Sequence, residues 1–113
     1  MHEISLLENV REILEDHAIS QHFCKVNQVT LEIGKLSCVE PDALRFGFDV
    51  VMNGSLAENA VLIITELPGM GECRKCQRQT EMETLHDPCK LCGSPFLTVL
   101  QGSEMKIKDL IVS

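Results

Sequence analysis

The sequence predicts an α/β fold, a three-stranded mixed sheet packed by two helices, with an inserted zinc-ribbon-like module. Three observations predict it. Apolar residues recur at three- and four-residue steps through the first twenty or so positions and again after Pro41. Runs rich in β-branched residues stand at 29–33, 60–67 and 104–112. Two C-x-x-C pairs lie between the last two of those runs.

The helical stripe is Ile4, Leu7, Val10, Ile13, Leu14 and Ala18, which predicts a helix from Ile4 to His22. Arg11, Glu12, Glu15 and Asp16 occupy much of its other face, so the stripe is expected to pack into the core. Val29, Leu31 and Ile33 alternate with Thr30 and Glu32, the pattern of a half-buried strand ending at Gly34. Pro41 opens a second helix with Leu44, Phe48 and Val51 on one face, since proline suits a first helical turn. Ser37 and Glu40 have the spacing of a capping box, and Asn53-Gly54 stops the helix. Ala60–Leu67 reads as a buried strand broken by Pro68-Gly69, and Glu104–Val112 as a final strand.

With 113 residues the chain is one domain carrying a small module. It has four Phe and no Trp or Tyr, so aliphatic residues supply the packing and a metal staple would help. The net charge of −7 argues against nucleic acid and anionic membrane surfaces as partners. Between Pro68 and Thr98, Arg74, Lys75, Arg78 and Lys90 balance Glu72, Glu81, Glu83 and Asp87, so the rest of the chain carries the whole excess. No basic n-region opens the chain, and the longest apolar run, Ala60–Ile64, is too short for a bilayer. A cytoplasmic location is expected, and six cysteines in a reducing compartment point to metal rather than disulfides.

The cysteine spacing is Cys73-x2-Cys76-x12-Cys89-x2-Cys92. Each C-x-x-C sets two thiolates on one tight turn, and two such turns complete a tetrahedron around zinc. Asp87-Pro88 before the second pair and Gly93 after it supply turn chemistry. Four thiolates leave no open position, so the expected zinc is structural and not catalytic. The other readings of the pattern are two disulfides or a four-thiolate iron centre for electron transfer, which would be red. Cys24 and Cys38 fall outside the pattern and are expected to be small buried hydrophobes; His86 in the linker is expected to be exposed.

The chain opens Met1-His2-Glu3. A bulky second residue keeps Met1 in place, so its amine, the His2 amide and the His2 ring Nδ1 could close a chelate. The Glu3 amide could add a fourth nitrogen, or the Glu3 carboxylate an axial ligand. Planar nitrogen sets suit Ni(II) or Cu(II) rather than Zn(II). Alone, a histidine at position two is usually just an exposed polar residue.

MHEISL at the start, LEIGKLSCVEPDALRFGFD in the middle, the two C-x-x-C pairs and QGSEMKIKDLIV at the end together resemble the HypA/HybF family of nickel metallochaperones. The resemblance runs nearly end to end, with its segments in order. It implies a cytosolic protein that receives Ni(II) as transient cargo and passes it to the precursor of a [NiFe]-hydrogenase large subunit. It also implies a nickel-handling accessory GTPase as partner and, in some organisms, supply to urease. The metal residues it implies are His2 and Glu3, with the Met1 amine, for nickel, and Cys73, Cys76, Cys89 and Cys92 for zinc. Glu40 matches an acidic residue near the nickel site in some members. The implied domains are 1–67 with 99–113, an α/β nickel-binding domain, and 68–98, the zinc module. Some members place His directly after a C-x-x-C, where this chain has Gln77 and Gly93, which weakens any pH-driven exchange of zinc ligands. Monomer and homodimer are both compatible with the sequence.

Neither a Ser/His/Asp order nor a phosphate loop is present, so an enzyme is not expected. The alternative from another class is a zinc-ribbon module for protein interaction or nucleic-acid binding. The neutral charge of 68–98 and its lack of a basic, aromatic-interleaved stripe count against nucleic acid.

Overall fold

The computed structural model describes residues 3–113, so Met1 and His2 lie outside the described residues. Helix α1 spans Glu3–Gln21. Leu7, Val10 and Leu14 are buried, whereas Ile4 and Ile13, expected on the same buried stripe, are 44% and 36% exposed. The packed seam is therefore narrower than the periodicity suggests. The helix closes where His22 turns left-handed and the Phe23 amide donates to the Ala18 carbonyl at 3.2 Å.

Strand β1, Val26–Gly34, buries Val29, Leu31 and Ile33 as expected and begins three residues earlier than its alternation shows. Tertiary pairing explains the added length. Lys25 and Ser113 exchange backbone hydrogen bonds at one end, and the Gly34 amide donates to the Glu104 carbonyl at the other. Those bonds set β1 antiparallel to the last strand, β6 (Met105–Val112). A short 3-10 turn, Lys35–Ser37, leads to helix α2, Pro41–Met52. No capping box forms. Glu40 holds the N-cap position without a side-chain cap, and the Ser37 hydroxyl donates instead to the Gly34 carbonyl at 2.7 Å. Leu44, Phe48 and Met52 are buried, and the chain leaves the helix through Asn53 and a left-handed Gly54.

Strand β2, Val61–Leu67, has the apolar run of a buried strand, and the structure corrects that expectation. Val61 and Ile63 are 56% and 40% exposed. The mixed sheet runs β2-β1-β6, so β2 is an edge strand with a single neighbour. Burial in a sheet depends on what lies beside and above a strand, which a local apolar run does not encode.

The cysteine region builds the expected ribbon-like module as a second three-stranded sheet, whose individual strands the sequence did not mark. Its strands are β3 (Gly69–Cys73), β4 (Gln79–Met82) and β5 (Leu97–Gln101), in the order β4-β3-β5, both pairings antiparallel. The chain divides into two compact units. One comprises the described residues through Leu31 together with Val39–Ile64 and Ile107–Ser113; the other comprises Glu32–Cys38 and Thr65–Lys106. In the first, α1 and α2 pack on each other, and Leu7, Leu14, Leu31, Leu44, Phe48 and Met52 are fully buried. In the second, burial falls on Ile33, Leu36, Met82, Cys73 and Cys89. Among the described residues no helix is long and apolar enough to cross a membrane.

Candidate metal centre

Cys73 is the last residue of β3 and Cys76 sits in the turn that follows; Cys89 and Cys92 occupy a second turn between β4 and β5. The four Sγ atoms lie within 4.8 Å of one another. Cys73 and Cys92 approach to 3.5 Å, Cys76 and Cys89 to 3.7 Å. Tetrahedral zinc with Zn–S near 2.3 Å needs sulfurs about 3.8 Å apart. All six cysteines are unbridged. The donor set therefore fits a tetrahedral thiolate-bound metal, with Cys73 and Cys89 buried, Cys76 half-buried and Cys92 exposed.

The two turns are built alike. In each, the first cysteine's amide donates to the carbonyl five residues on: Cys73 to Arg78 at 2.9 Å and Cys89 to Ser94 at 2.8 Å. In each, the residue after the second cysteine donates back to the first cysteine's carbonyl: Gln77 to Cys73 at 2.9 Å and Gly93 to Cys89 at 2.8 Å. Both closing residues are left-handed, with φ of 61° at Gln77 and 76° at Gly93. Glycine adopts that conformation freely, whereas glutamine bears a cost. Gly93 was legible as turn chemistry; nothing in the Gln77 side chain announces the same geometry.

Backbone amides aim at the sulfurs. Lys75 and Cys76 donate to Cys73 Sγ, each at 3.4 Å, and Leu91 donates to Cys89 Sγ at 3.4 Å. The Cys76 amide is the main reason the Cys73 thiol is lowered from 9.0 to about 6, against opposing desolvation. At Cys89 desolvation pushes upward, but amides of Cys92 and Leu91 outweigh it and the thiol is lowered. At Cys76 a backbone bond from Arg78 lowers the thiol, yet burial and the neighbouring thiols prevail and raise it to about 11. The cluster thus favours thiolate at some positions and resists stacking four charges together without a cation to share them.

The linker carries its own device. The Asp87 carboxylate accepts from the Glu83 amide and from the Thr84 hydroxyl, each at 2.7 Å, and these bonds hold its carboxyl below the usual range. The sequence marks Asp87 as a turn residue, and the structure shows which groups it ties. His86 is exposed and stands outside the four-cysteine cluster.

Other expectations fare differently. Cys24 and Cys38 are exposed rather than buried. Cys24 lies in the link before β1, and Cys38 sits at a left-handed position after the 3-10 turn, so neither belongs to a packed face. The expected nickel residue His2, with the Met1 amine, falls outside the described residues. Glu3 is half-buried at the first position of α1, and Glu40 is exposed at the N-cap of α2.

A two-helix α/β unit joined to a paired-knuckle ribbon defines a small protein with a four-cysteine metal site. Residues 1–112 match the family model described as hydrogenase/urease nickel incorporation, metallochaperone, hypA. Among similar curated proteins, the hydrogenase maturation factor HypA of Rhodobacter capsulatus is 48% identical over 112 residues, covering 99% of each chain. That of Azotobacter vinelandii is 44% identical over the same length, with the same coverage. The solution structure of the Ni metallochaperone HypA from Helicobacter pylori matches at a TM-score of 0.74 and 25% identity, over 99% of this chain and 97% of that one. This chain belongs to the HypA family of hydrogenase maturation metallochaperones.

Proposed function

We propose that this chain binds Ni(II) at its N-terminus and delivers it to the precursor of a [NiFe]-hydrogenase large subunit, with a nickel-handling GTPase as co-worker, while a structural zinc fills the four-cysteine site. The observation that carries the reading is the family match, which begins at residue 1 and so includes Met1-His2-Glu3. The chemistry agrees. The Met1 amine, backbone amides and His2 imidazole form a nitrogen set of the kind that suits Ni(II), and the Glu3 carboxylate stands beside them. The thiolate cluster suits zinc, and its filled tetrahedron would leave nickel no place there. A chelate at a chain end can be approached by an acceptor, and moderate affinity serves a metal that must be handed on.

Nickel binding requires a neutral amine and imidazole, so affinity is expected to fall as pH drops through about 6.5. The test is a titration of Ni(II) into zinc-loaded protein with its native N-terminus, beside His2→Ala, by calorimetry and absorption. One nickel per chain with planar-site absorption in the wild type, lost in His2→Ala, upholds the reading. Equal binding by both, or by neither, removes nickel from the N-terminus, as would a flat response to mild acid.

A further inference from the structure

The first unit carries an open groove of about 560 Å³ lined by Ile4, Glu8, Arg11, Glu12, Glu15, Val50 and Val51. Its walls are closely packed. A Cβ on Gly47 of α2 would lie 2.9 Å from Ile4 Cδ1 and 3.0 Å from Leu7 Cδ1, so the two helices are in close contact there. Arg11 locks the floor, with Nη1 donating to the Val51 carbonyl at 2.9 Å and Nε 3.7 Å from Glu15 Oε1.

Two features of this groove face solvent. One is apolar. Val50 is 62% exposed, Ile4 44%, and Phe46, one turn before Val50 on the same face of α2, is 80% exposed. Phe46 is one of only four aromatic residues in the chain, and leaving its ring in water forgoes the burial it could supply. The other feature is charge. Glu8, Glu12 and Glu15 are exposed along α1 at helical spacing, and among the described residues that line the groove the one cation, Arg11, is already committed to Val51 and Glu15. From Glu8 to Glu15 the row runs about 10 Å along the helix axis at 1.5 Å per residue.

We propose that the α1–α2 groove with the Phe46–Val50 ridge docks a basic amphipathic helix of a protein partner. An apolar strip beside carboxylates at helical spacing matches a helix that presents leucine-like anchors beside Lys or Arg at the same spacing. Like charge disfavours the other occupants. A second copy would bring an identical acidic wall to a chain already at −7, and nucleic acid or an anionic membrane would meet the same repulsion. The surface stands independently of where nickel binds.

The test is an amide chemical-shift titration of the zinc-loaded full chain with a synthetic helical peptide of leucine and lysine at three- and four-residue spacing. The same peptide with glutamate for lysine serves as control. Expected are shifts confined to residues 4–15 and 46–51, no binding of the glutamate peptide, and affinity weakened about tenfold or more by Phe46→Ser and by the pair Glu8→Lys/Glu12→Lys. All three altered positions are exposed, so both variants should keep the wild-type spectrum elsewhere. No binding, shifts outside these segments, equal binding of the glutamate peptide, or either variant binding as wild type does would overturn the proposal. So would sedimentation showing that the wild type self-associates through Phe46, which would give the groove to a second copy.

Discussion

The two units of this chain hold themselves together by different means. The unit with α1 and α2 fully buries Leu7, Leu14, Val26, Val29, Leu31, Leu44 and Met52 around Phe48. At roughly 1.5–3 kcal/mol for each large apolar side chain, that is an ordinary hydrophobic core. The unit with the cysteines buries Ile33, Leu36 and Met82, and beyond these its buried apolar residues are Cys73 and Cys89 themselves. Short strands and two knuckle turns supply its order, and the thiolates occupy the place a core would take. Where a segment cannot exclude enough water, a coordinated metal ion can stabilise it instead. Surface residues of the ribbon are therefore expected to tolerate substitution so long as the turn geometry survives.

The largest test of that contrast is metal removal. A structural zinc contributes roughly 10–16 kcal/mol of apparent binding free energy. Chelation, or Cys76→Ala, is expected to abolish amide-exchange protection across 69–101 while α1 and α2 keep theirs. Simultaneous loss in both would mean that the chain folds as a single cooperative unit. Next comes Phe48→Ala in the apolar core, expected to cost about 3–5 kcal/mol in denaturant unfolding with zinc content unchanged. A smaller effect is expected at Gly69, where a Cβ would lie 2.6 Å from both Leu36 Cγ and the Met82 carbonyl oxygen. Gly69→Ala should destabilise the cysteine unit by about 1–3 kcal/mol, read as faster zinc loss to a chelator. The smallest pair sharpens the likeness of the two knuckles. Gly93→Ala should cost about 1 kcal/mol at its left-handed position, whereas Gln77→Gly should be neutral or stabilise slightly, both read from thermal midpoints. Equal effects of opposite sign to these would break the equivalence.

The helices and β1 were legible because their signals are local. Leu7, Val10 and Leu14 repeat at helical steps, and Val29, Leu31 and Ile33 alternate, so the period itself names the element and its inner face. Strands β3 to β5 were not legible. They are four or five residues long, and Gly69 and Gly71 dilute the pattern of β3. Their pairing brings Gly71 beside Thr80 on one side and Val99 on the other, partners set by closure of the cysteine turns and not by any local period. The metal ligands stood out because two closely spaced pairs of cysteines put four soft donors within reach of one ion, a pattern that packing alone does not require. The amides that aim at Cys73 and Cys89 carry no residue signature, since every backbone has them.

By itself the sequence determined the element order through α2, the four metal ligands, the charge that disfavours nucleic acid, and the family that Met1-His2-Glu3 and the cysteine pairs together indicate. These are properties of residue type and spacing, which act over a few positions. Tertiary structure decided the rest. It left β2 at a sheet edge, exposed Cys24 and Cys38, drove Gln77 into a left-handed turn, and opened an acidic groove beside Phe46 and Val50. Each of those depends on which distant segment comes to lie alongside, and burial and backbone strain are settled only when that neighbour arrives.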